Sequence, residues 1–337
     1  TMLAFAIWTT TACNMQCTYC YEGNNKESQF MSQEVMNQTL GFIKAITNSR
    51  QDEEIVVDFH GGEPLLQFSL IKNAVEELKN IFKDKVTFGI TTNGTIMTDE
   101  IADFLCKEFY YSLSISLDGD EKNHNLNRKL KDGCGSYDKT VKSAKMLLAR
   151  RNDVRVRPTI NTITVSDLYD CIMHLINLGF KTIAPAVDYF DFAWDKSFMN
   201  ILEEQLRMIK NELNKQEYKN IRVGMINDYR KDKIGECSGG VNSFHINPNG
   251  KIYPCVLAVG NNEYLLGSVC SGLLYSNIDK FREINKIQNE CCSDCSHKNA
   301  CLSSRCKLIN KQTTNDLYTP SPVICAVENI KKRLDYK

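Results

Sequence analysis

Ala4-Phe-Ala-Ile-Trp-Thr-Thr10 runs directly into Thr-Ala-Cys13-Asn-Met-Gln-Cys17-Thr-Tyr-Cys20. The first seven residues are rich in β-formers and read as a strand, so the three cysteines fall in the loop after it. Three thiolates can hold three irons of a [4Fe–4S] cube and leave the fourth iron for an outside ligand. A zinc site reads the same residues differently, but it needs a fourth ligand and no other Cys or His lies nearby in sequence. Chance spacing is a third reading in so cysteine-rich a chain.

The chain beyond that loop sets the fold class. Runs with strand character at Ala4–Thr10, Ile55–His60, Val86–Thr91, Ser112–Leu117, Val154–Asn161 and Lys181–Val187 alternate with helical patterns. The helical stretches are Gln33–Ile46, Leu70–Phe82, Asp99–Lys107, Tyr137–Arg150, Val165–Leu178 and Phe198–Gln216. Six strand–helix units imply parallel pairing with right-handed crossovers, an α/β partial (β/α)6 barrel of the TIM type. Ser32 and Thr98 stand where helix caps belong. Asn93-Gly94 and Asp118-Gly119 break the chain after the third and fourth strands, at the mouth where such folds place chemistry.

Composition narrows the class further. The 337 residues are 42% hydrophobic and 24% charged, ordinary globular usage, with 41 basic residues against 41 acidic ones. That balance gives no nucleic-acid or anionic-lipid footprint, and no apolar run approaches the length needed to span a bilayer. No secretory signal opens the sequence. Fifteen cysteines in a long chain without an export signal fit reduced thiolates serving metals better than a disulfide scaffold, and so a reducing, cytoplasmic setting. Three cluster at 13–20 and nine fall between 237 and 325; Cys106 and Cys171 lie in helical patterns as small hydrophobes, and Cys134 in a loop. The expected division is a barrel over 1–216, a polar linker over 217–236 and a cysteine-rich region over 237–337. The last opens with a hairpin turning at Asn249-Gly250 and holds too little apolar material to order itself without bound metal.

Two further motifs stand at strand ends. Strand two closes in Asp58-Phe-His60-Gly61-Gly62-Glu63-Pro64, where two glycines allow a close backbone approach and the proline stiffens the exit. Strand four closes in Ser114-Ile-Ser116-Leu-Asp118-Gly119, with Arg128 downstream; a hydroxyl and a guanidinium suit a carboxylate and a ribose. A strand-end cap and a surface ion pair are the plainer alternatives for Ser116 and Arg128. His60 reads equally as lining the mouth or as packing.

Taken in order, Cys-x3-Cys-x2-Cys, Gly-Gly-Glu-Pro and Ser-x-Asp-Gly with a later Arg resemble the radical S-adenosylmethionine (radical SAM) enzymes over roughly residues 3–216. The resemblance implies that Cys13, Cys17 and Cys20 bind the reducing cluster, whose open iron chelates S-adenosylmethionine. It implies that Tyr19 and the turn Gly61, Gly62, Glu63, Pro64 contact the methionyl amine and adenosyl end, and that Ser116 and Arg128 take the carboxylate and ribose side. The second array, Cys237-x12-Gly250-x4-Cys255 and then Cys292-x2-Cys295-x5-Cys301-x4-Cys306 with Cys325, resembles the SPASM extension with its two auxiliary [4Fe–4S] clusters. By that pattern Cys237, Cys255 and Cys306 hold the first auxiliary cluster, and Cys292, Cys295, Cys301 and Cys325 the second. Cys306 comes one residue late, and Cys291 competes with Cys292 for its place. Cys270 matches no position: either it completes the first cluster, or that cluster keeps an iron for a substrate thiolate. A pair of zinc knuckles is the alternative for the whole array.

The resemblance thus implies an enzyme with three [4Fe–4S] clusters and S-adenosylmethionine, served by a one-electron reductant of flavodoxin or ferredoxin type. The substrate class it favours is a ribosomally made precursor peptide, cross-linked by a thioether from Cys to a carbon, with carbon–carbon linkage next. Formylglycine formation, as in anaerobic sulfatase-maturating enzymes, lacks its proton acceptor here, because Val256 follows Cys255 where those enzymes carry Asp. Asp188, Asp191 and Glu22 are the substitutes, none marked by spacing, so no catalytic base is assigned. Few residues precede strand one, so leader binding is expected to fall to a separate protein or to the barrel, unless the chain is a fragment. A small-molecule dehydrogenase of the same superfamily and a non-catalytic zinc or electron-transfer protein are the other classes.

Overall fold

The computed structural model describes residues 2–23, 27–50, 54–227 and 235–335. The alternation read from the sequence appears as β1 (Met2–Thr10), α1 (Gln33–Asn48), β2 (Glu54–Gly61), α2 (Phe68–Phe82), β3 (Val86–Thr92), α3 (Asp99–Glu108) and β4 (Ser112–Ile115). Next come α4 (Glu121–Asn127), α5 (Tyr137–Leu148), β5 (Arg155–Val156), β6 (Thr159–Ile160), α6 (Leu168–Asn177), β7 (Thr182–Ile183), β8 (Ala186–Val187) and α7 (Lys196–Leu213). Strands β1, β2, β3, β4, β5 and β7 are neighbours in that order, every pairing parallel.

One expectation is corrected. The fifth and sixth strands are each split, β5 from β6 and β7 from β8, at Pro158 and Pro185, which have no N–H for a ladder. Their outer halves form a separate two-stranded ladder. Helix α4 lies where the sequence pattern assigns no element; Asp120 caps it, its side chain accepting from Asn123 N at 2.9 Å. The caps expected at Ser32 and Thr98 are present, each hydroxyl accepting from the third residue onward at 3.2 and 3.3 Å.

Residues 228–234 of the expected linker lie outside the described residues. Before them, β9 (Arg222–Val223) adds a further parallel strand beside β7 and leads into α8 (Gly224–Asn227). After them, the hairpin expected around Asn249-Gly250 is β10 (Ser243–Ile246) and β11 (Lys251–Tyr253), with Gly250 at φ +79°. Strand β10 pairs parallel with β1, Ala4 opposite Ser243, so the hairpin continues the barrel sheet on its first edge. Short strands β12 (Gly267–Ser268) and β13 (Gly272–Leu273) extend it, and the chain ends in α9 (Tyr275–Lys286), α10 (Leu302–Arg305), α11 (Lys307–Thr314) and α12 (Pro322–Asp335).

Strand alternation divides the sheet into two faces. Leu3, Phe5 and Ile7, with Ile55, Val57, Phe59, Phe88 and Ile90, bury against Met36, Leu40, Ile43, Ile71 and Leu78 of the helices. The opposite, inner face carries Ala6, Asp58, Gly89 and Ser112 in one cross-strand row, and Thr91, Ser114 and Arg155 in another. A polar row inside an apolar shell marks the lumen as the place for chemistry. Among the described residues no helix is long and apolar enough to cross a membrane.

Candidate active site

The Cys13–Cys20 loop leaves β1 at the barrel mouth and is held from both sides. On one side Gly62 N donates to Thr10 O at 3.1 Å and Glu63 N to Ala12 O at 2.9 Å. A Cβ at Gly62 would stand 2.3 Å from Ala12 O, and one at Gly61 would stand 2.5 Å from Thr10 O. The close approach that these glycines allow is therefore to the backbone leading into Cys13. On the other side, Gln16 N donates to Lys129 O at 2.8 Å and Thr18 N to Asn127 O at 2.9 Å, so the end of α4 clamps the loop.

Glu63 points away from solvent, 1% exposed. Its carboxylate accepts from Asn93 N at 2.7 Å, Thr92 Oγ1 at 2.8 Å and Leu65 N at 3.1 Å, tying the end of β2 to the end of β3. Burial lifts its pKa to about 7 against these three bonds, which favour the ion. Pro64, at the first position of a short 3-10 turn, is buried too. Asn93 reaches on to the cluster loop, donating to Asn14 Oδ1 at 2.9 Å with Cys13 Sγ 3.8 Å away.

Half-buried Tyr19 and buried Arg128 belong to one group around Asp118. The Tyr19 hydroxyl donates to Asp118 Oδ2, and the Arg128 guanidinium lies 5.2 Å over the Tyr19 ring. Arg128 Nε stands 3.0 Å from Asp118 Oδ1 as an ion pair, but off the line of a hydrogen bond, so this buried N–H lacks an aligned acceptor. Asp118 also accepts from Thr159 N at 2.9 Å. Ser116, half-buried just past β4, donates its N–H to Thr92 O at 2.9 Å, while its hydroxyl bonds no described residue. Sequence reading missed Asp118 as the anchor of Arg128 and Asn93 as a neighbour of the cluster loop. Their positions directly after strand ends were the available signal.

The three thiols sense one another. Burial raises Cys13 to about 11, with Glu63, Cys17 and Cys20 pushing the same way. Burial raises Cys17 as well, against the nearby Arg128 cation. Positively charged irons are what such a crowded set of thiolates requires, so the donors fit the cluster expected for them. Among the described residues no three Cys, His, Asp or Glu side chains converge as a single metal ion demands; a four-iron cube instead takes each cysteine on a separate iron.

The carboxy-terminal cysteines fall into two sets. Burial lifts Cys255 to about 12, with Cys306 and Cys237 adding to it. Burial likewise lifts Cys325 to about 11, with Cys301, Cys292, Cys295 and Cys291 adding to it. Cys291 and Cys292 both stand in the second set. Cys270 is brought to neither: its exposed thiol donates to Gln38 Oε1 at 2.8 Å. Of the remaining cysteines, Cys171 is buried, Cys106 half-buried and Cys134 exposed.

Inside the lumen, His60 Nε2 lies 2.7 Å from Asp58 Oδ2, and both side chains are partly exposed. The His60 ring stacks on Trp8, centroids 5.7 Å apart, and lies 6.0 Å from the ring of His245 on β10. His60 thus lines the inner wall below the Gly61 turn.

Residues 7–175 match the Radical SAM superfamily. The chain belongs to this family. A curated relative, the radical SAM cyclopropyl synthase TigE of Paramaledivibacter caminithermalis, is 23% identical over 94% of this chain and 70% of its own. Anaerobic sulfatase-maturating enzymes are also among the relatives of this radical SAM protein. Among solved structures, native anSMEcpe with bound AdoMet and Cp18Cys peptide superposes with a TM-score of 0.82 at 18% identity, covering 100% of this chain and 97% of that one. Streptococcus suis SuiB bound to the precursor peptide SuiA gives 0.70 at 18% identity, covering 96% and 76%. This chain, an α/β barrel with a cysteine-rich carboxy-terminal region, shares the fold of these enzymes.

Proposed function

We propose that this radical SAM enzyme modifies a ribosomally made peptide, removing two hydrogens to close a cross-link, first of all a thioether from a cysteine to a carbon. The observation that carries this reading is the gathering of eleven cysteines into three sets, Cys291 standing beside Cys292 in the last. One stands at the barrel mouth (Cys13, Cys17, Cys20), and two lie beyond it (Cys237, Cys255, Cys306 and Cys292, Cys295, Cys301, Cys325). Division into a barrel over 1–216, a linker over 217–236 and a cluster-bearing region over 237–337 goes with it.

When bound, S-adenosylmethionine and its cluster supply a 5′-deoxyadenosyl radical that takes hydrogen from unactivated carbon, and two auxiliary clusters supply an acceptor for the second electron. The protein's own residues aim and shield that chemistry. Cys13, Cys17 and Cys20 would hold the first cluster. The Gly61–Pro64 turn presents backbone groups for the methionyl amine, and Tyr19, bonded to Asp118 under Arg128, would contact the cofactor's methionyl and adenosyl end. The Ser116 hydroxyl and the Arg128 edge, whose Nε lacks an aligned acceptor, take the polar ribose and carboxylate side. His60, steadied by Asp58, offers a proton acceptor on the lumen wall.

Val256 follows Cys255 directly, so formylglycine formation lacks the carboxylate it would need there. A carbon–carbon link is the second reading, favoured by the long match to a cyclopropyl synthase. A reductant of ferredoxin or flavodoxin type and an oxygen-free cytoplasm complete the proposal. The test is anaerobic incubation with a candidate cysteine-rich precursor, reductant and S-adenosylmethionine. A peptide lighter by two hydrogens together with 5′-deoxyadenosine is expected; cofactor cleavage with an unchanged peptide refutes the cross-linking.

A further inference from the structure

Lys307 opens α11 directly after Cys306, yet it is 2% exposed. Its ammonium donates to Asn289 Oδ1 at 2.5 Å and Ser304 O at 3.0 Å, and lies 5.7 Å over the Tyr318 ring. These partners are neutral. No described carboxylate lies within ion-pair distance, although a buried ammonium without a counter-charge is strongly disfavoured. The position is wrong for a cation on a second count. The first turn of a helix is its positive end, and α11 carries no acidic residue there to offset it.

The ionisable groups within reach are cysteine thiols, Cys292 and Cys291 of one set and Cys306 of the other, which become anionic as cluster ligands. Asn289, which holds the ammonium, lies in the segment that leads into Cys291 and Cys292. Lys307 therefore stands between the two carboxy-terminal thiol sets, bonded toward one and adjacent in sequence to the other. A four-iron cluster with cysteinate ligands is a net anion, which is the counter-charge that the ammonium lacks.

We infer that Lys307 is the buried counter-cation shared by both auxiliary clusters, holding their potentials up so that each accepts an electron from the substrate side more readily. This rests on the cluster reading above. The neighbouring positive charge favours the reduced, more negative form of each cluster. Removing it should lower both potentials.

The experiment is an electron paramagnetic resonance redox titration of anaerobically reconstituted wild type, Lys307→Met and Lys307→Arg, with iron and sulfide counted in each. In Lys307→Met, the reduced-to-oxidised ratio of both auxiliary clusters at a fixed poise should fall at least tenfold, equivalent to about 59 mV for a one-electron couple. The Cys13–Cys20 cluster should not move, and Lys307→Arg should stay near wild type. Unmoved potentials in a fully loaded Lys307→Met, or a shift in one auxiliary cluster alone, overturn the inference. Loading lost in Lys307→Met and kept in Lys307→Arg supports the charge; loading lost in both assigns Lys307 to packing and overturns it. A wild type without auxiliary clusters defeats the cluster reading itself, before any variant is compared.

Discussion

Gly62→Ala tests how the barrel holds its cluster loop. The added methyl would stand 2.3 Å from Ala12 O, 2.6 Å from Ala12 C and 2.8 Å from Thr11 O, all backbone atoms that cannot rotate away. Reaching van der Waals contact requires the turn and the loop to part by about 1 Å. That opening strains the bonds from Gly62 N to Thr10 O and from Glu63 N to Ala12 O. At about 1 kcal/mol for each bond, and about 1–3 kcal/mol for the overpacking, the substitution should cost roughly 3–5 kcal/mol. Cys13 should be displaced with the loop. Chemical denaturation of the metal-free protein reads the first effect, and iron retained after anaerobic reconstitution the second. Gly41→Ala, inside α1 with open space around its Cβ, serves as the control and should be neutral or slightly stabilising. A Gly62→Ala protein with the wild-type midpoint and full iron would show that the turn does not brace the loop.

Asp118→Asn should destabilise by about 3–5 kcal/mol, because it leaves the Arg128 guanidinium buried without its carboxylate; a double variant that also carries Arg128→Leu should recover part of that loss, and denaturation midpoints decide. Glu63 titrates near 7 in the folded protein against an ordinary 4.5, so between those values the unfolded chain ionises while the folded one keeps its proton. Stability should therefore fall as pH rises from about 4.5 to 7, by up to about 1.4 kcal/mol per pH unit, and Glu63→Gln should flatten that slope; equal slopes would contradict it. Cys270→Ser should leave the iron content unchanged, since its thiol stands apart from both sets, whereas Cys255→Ser should lose about four irons per chain.

The alternating pattern made β1 to β4 and their helices legible because each apolar run buries one face and each cap satisfies its own helix start. The splits at Pro158 and Pro185 were visible as residues, but their effect depends on which neighbour would have used the missing N–H. Helix α4 was hidden by its composition, Glu-Lys-Asn-His-Asn-Leu-Asn, which carries three asparagines of poor propensity and is held by contacts to the cluster loop. The pairing of β10 with β1 joins residues far apart in sequence, which no local pattern encodes. At the site, spacing singled out the cysteines; in the structure Cys255 lies near Cys306 and Cys237, and Cys325 near Cys301, Cys292, Cys295 and Cys291. Spacing could not reveal that Glu63 turns inward to bind the end of β3, that Arg128 pairs with Asp118, or that Cys270 lies against Gln38.

The chemistry proposed for this enzyme begins at Cys13, Cys17 and Cys20. Its decisive measurement is a set of Mössbauer and electron paramagnetic resonance spectra of oxygen-free protein, recorded with and without S-adenosylmethionine and alongside Cys17→Ala. A four-iron cube with one distinct iron, whose signal changes on adding the cofactor, is expected, and no 5′-deoxyadenosine from the variant. A spectrum without that cube, or a Cys17→Ala protein that still cleaves the cofactor, would contradict the assignment.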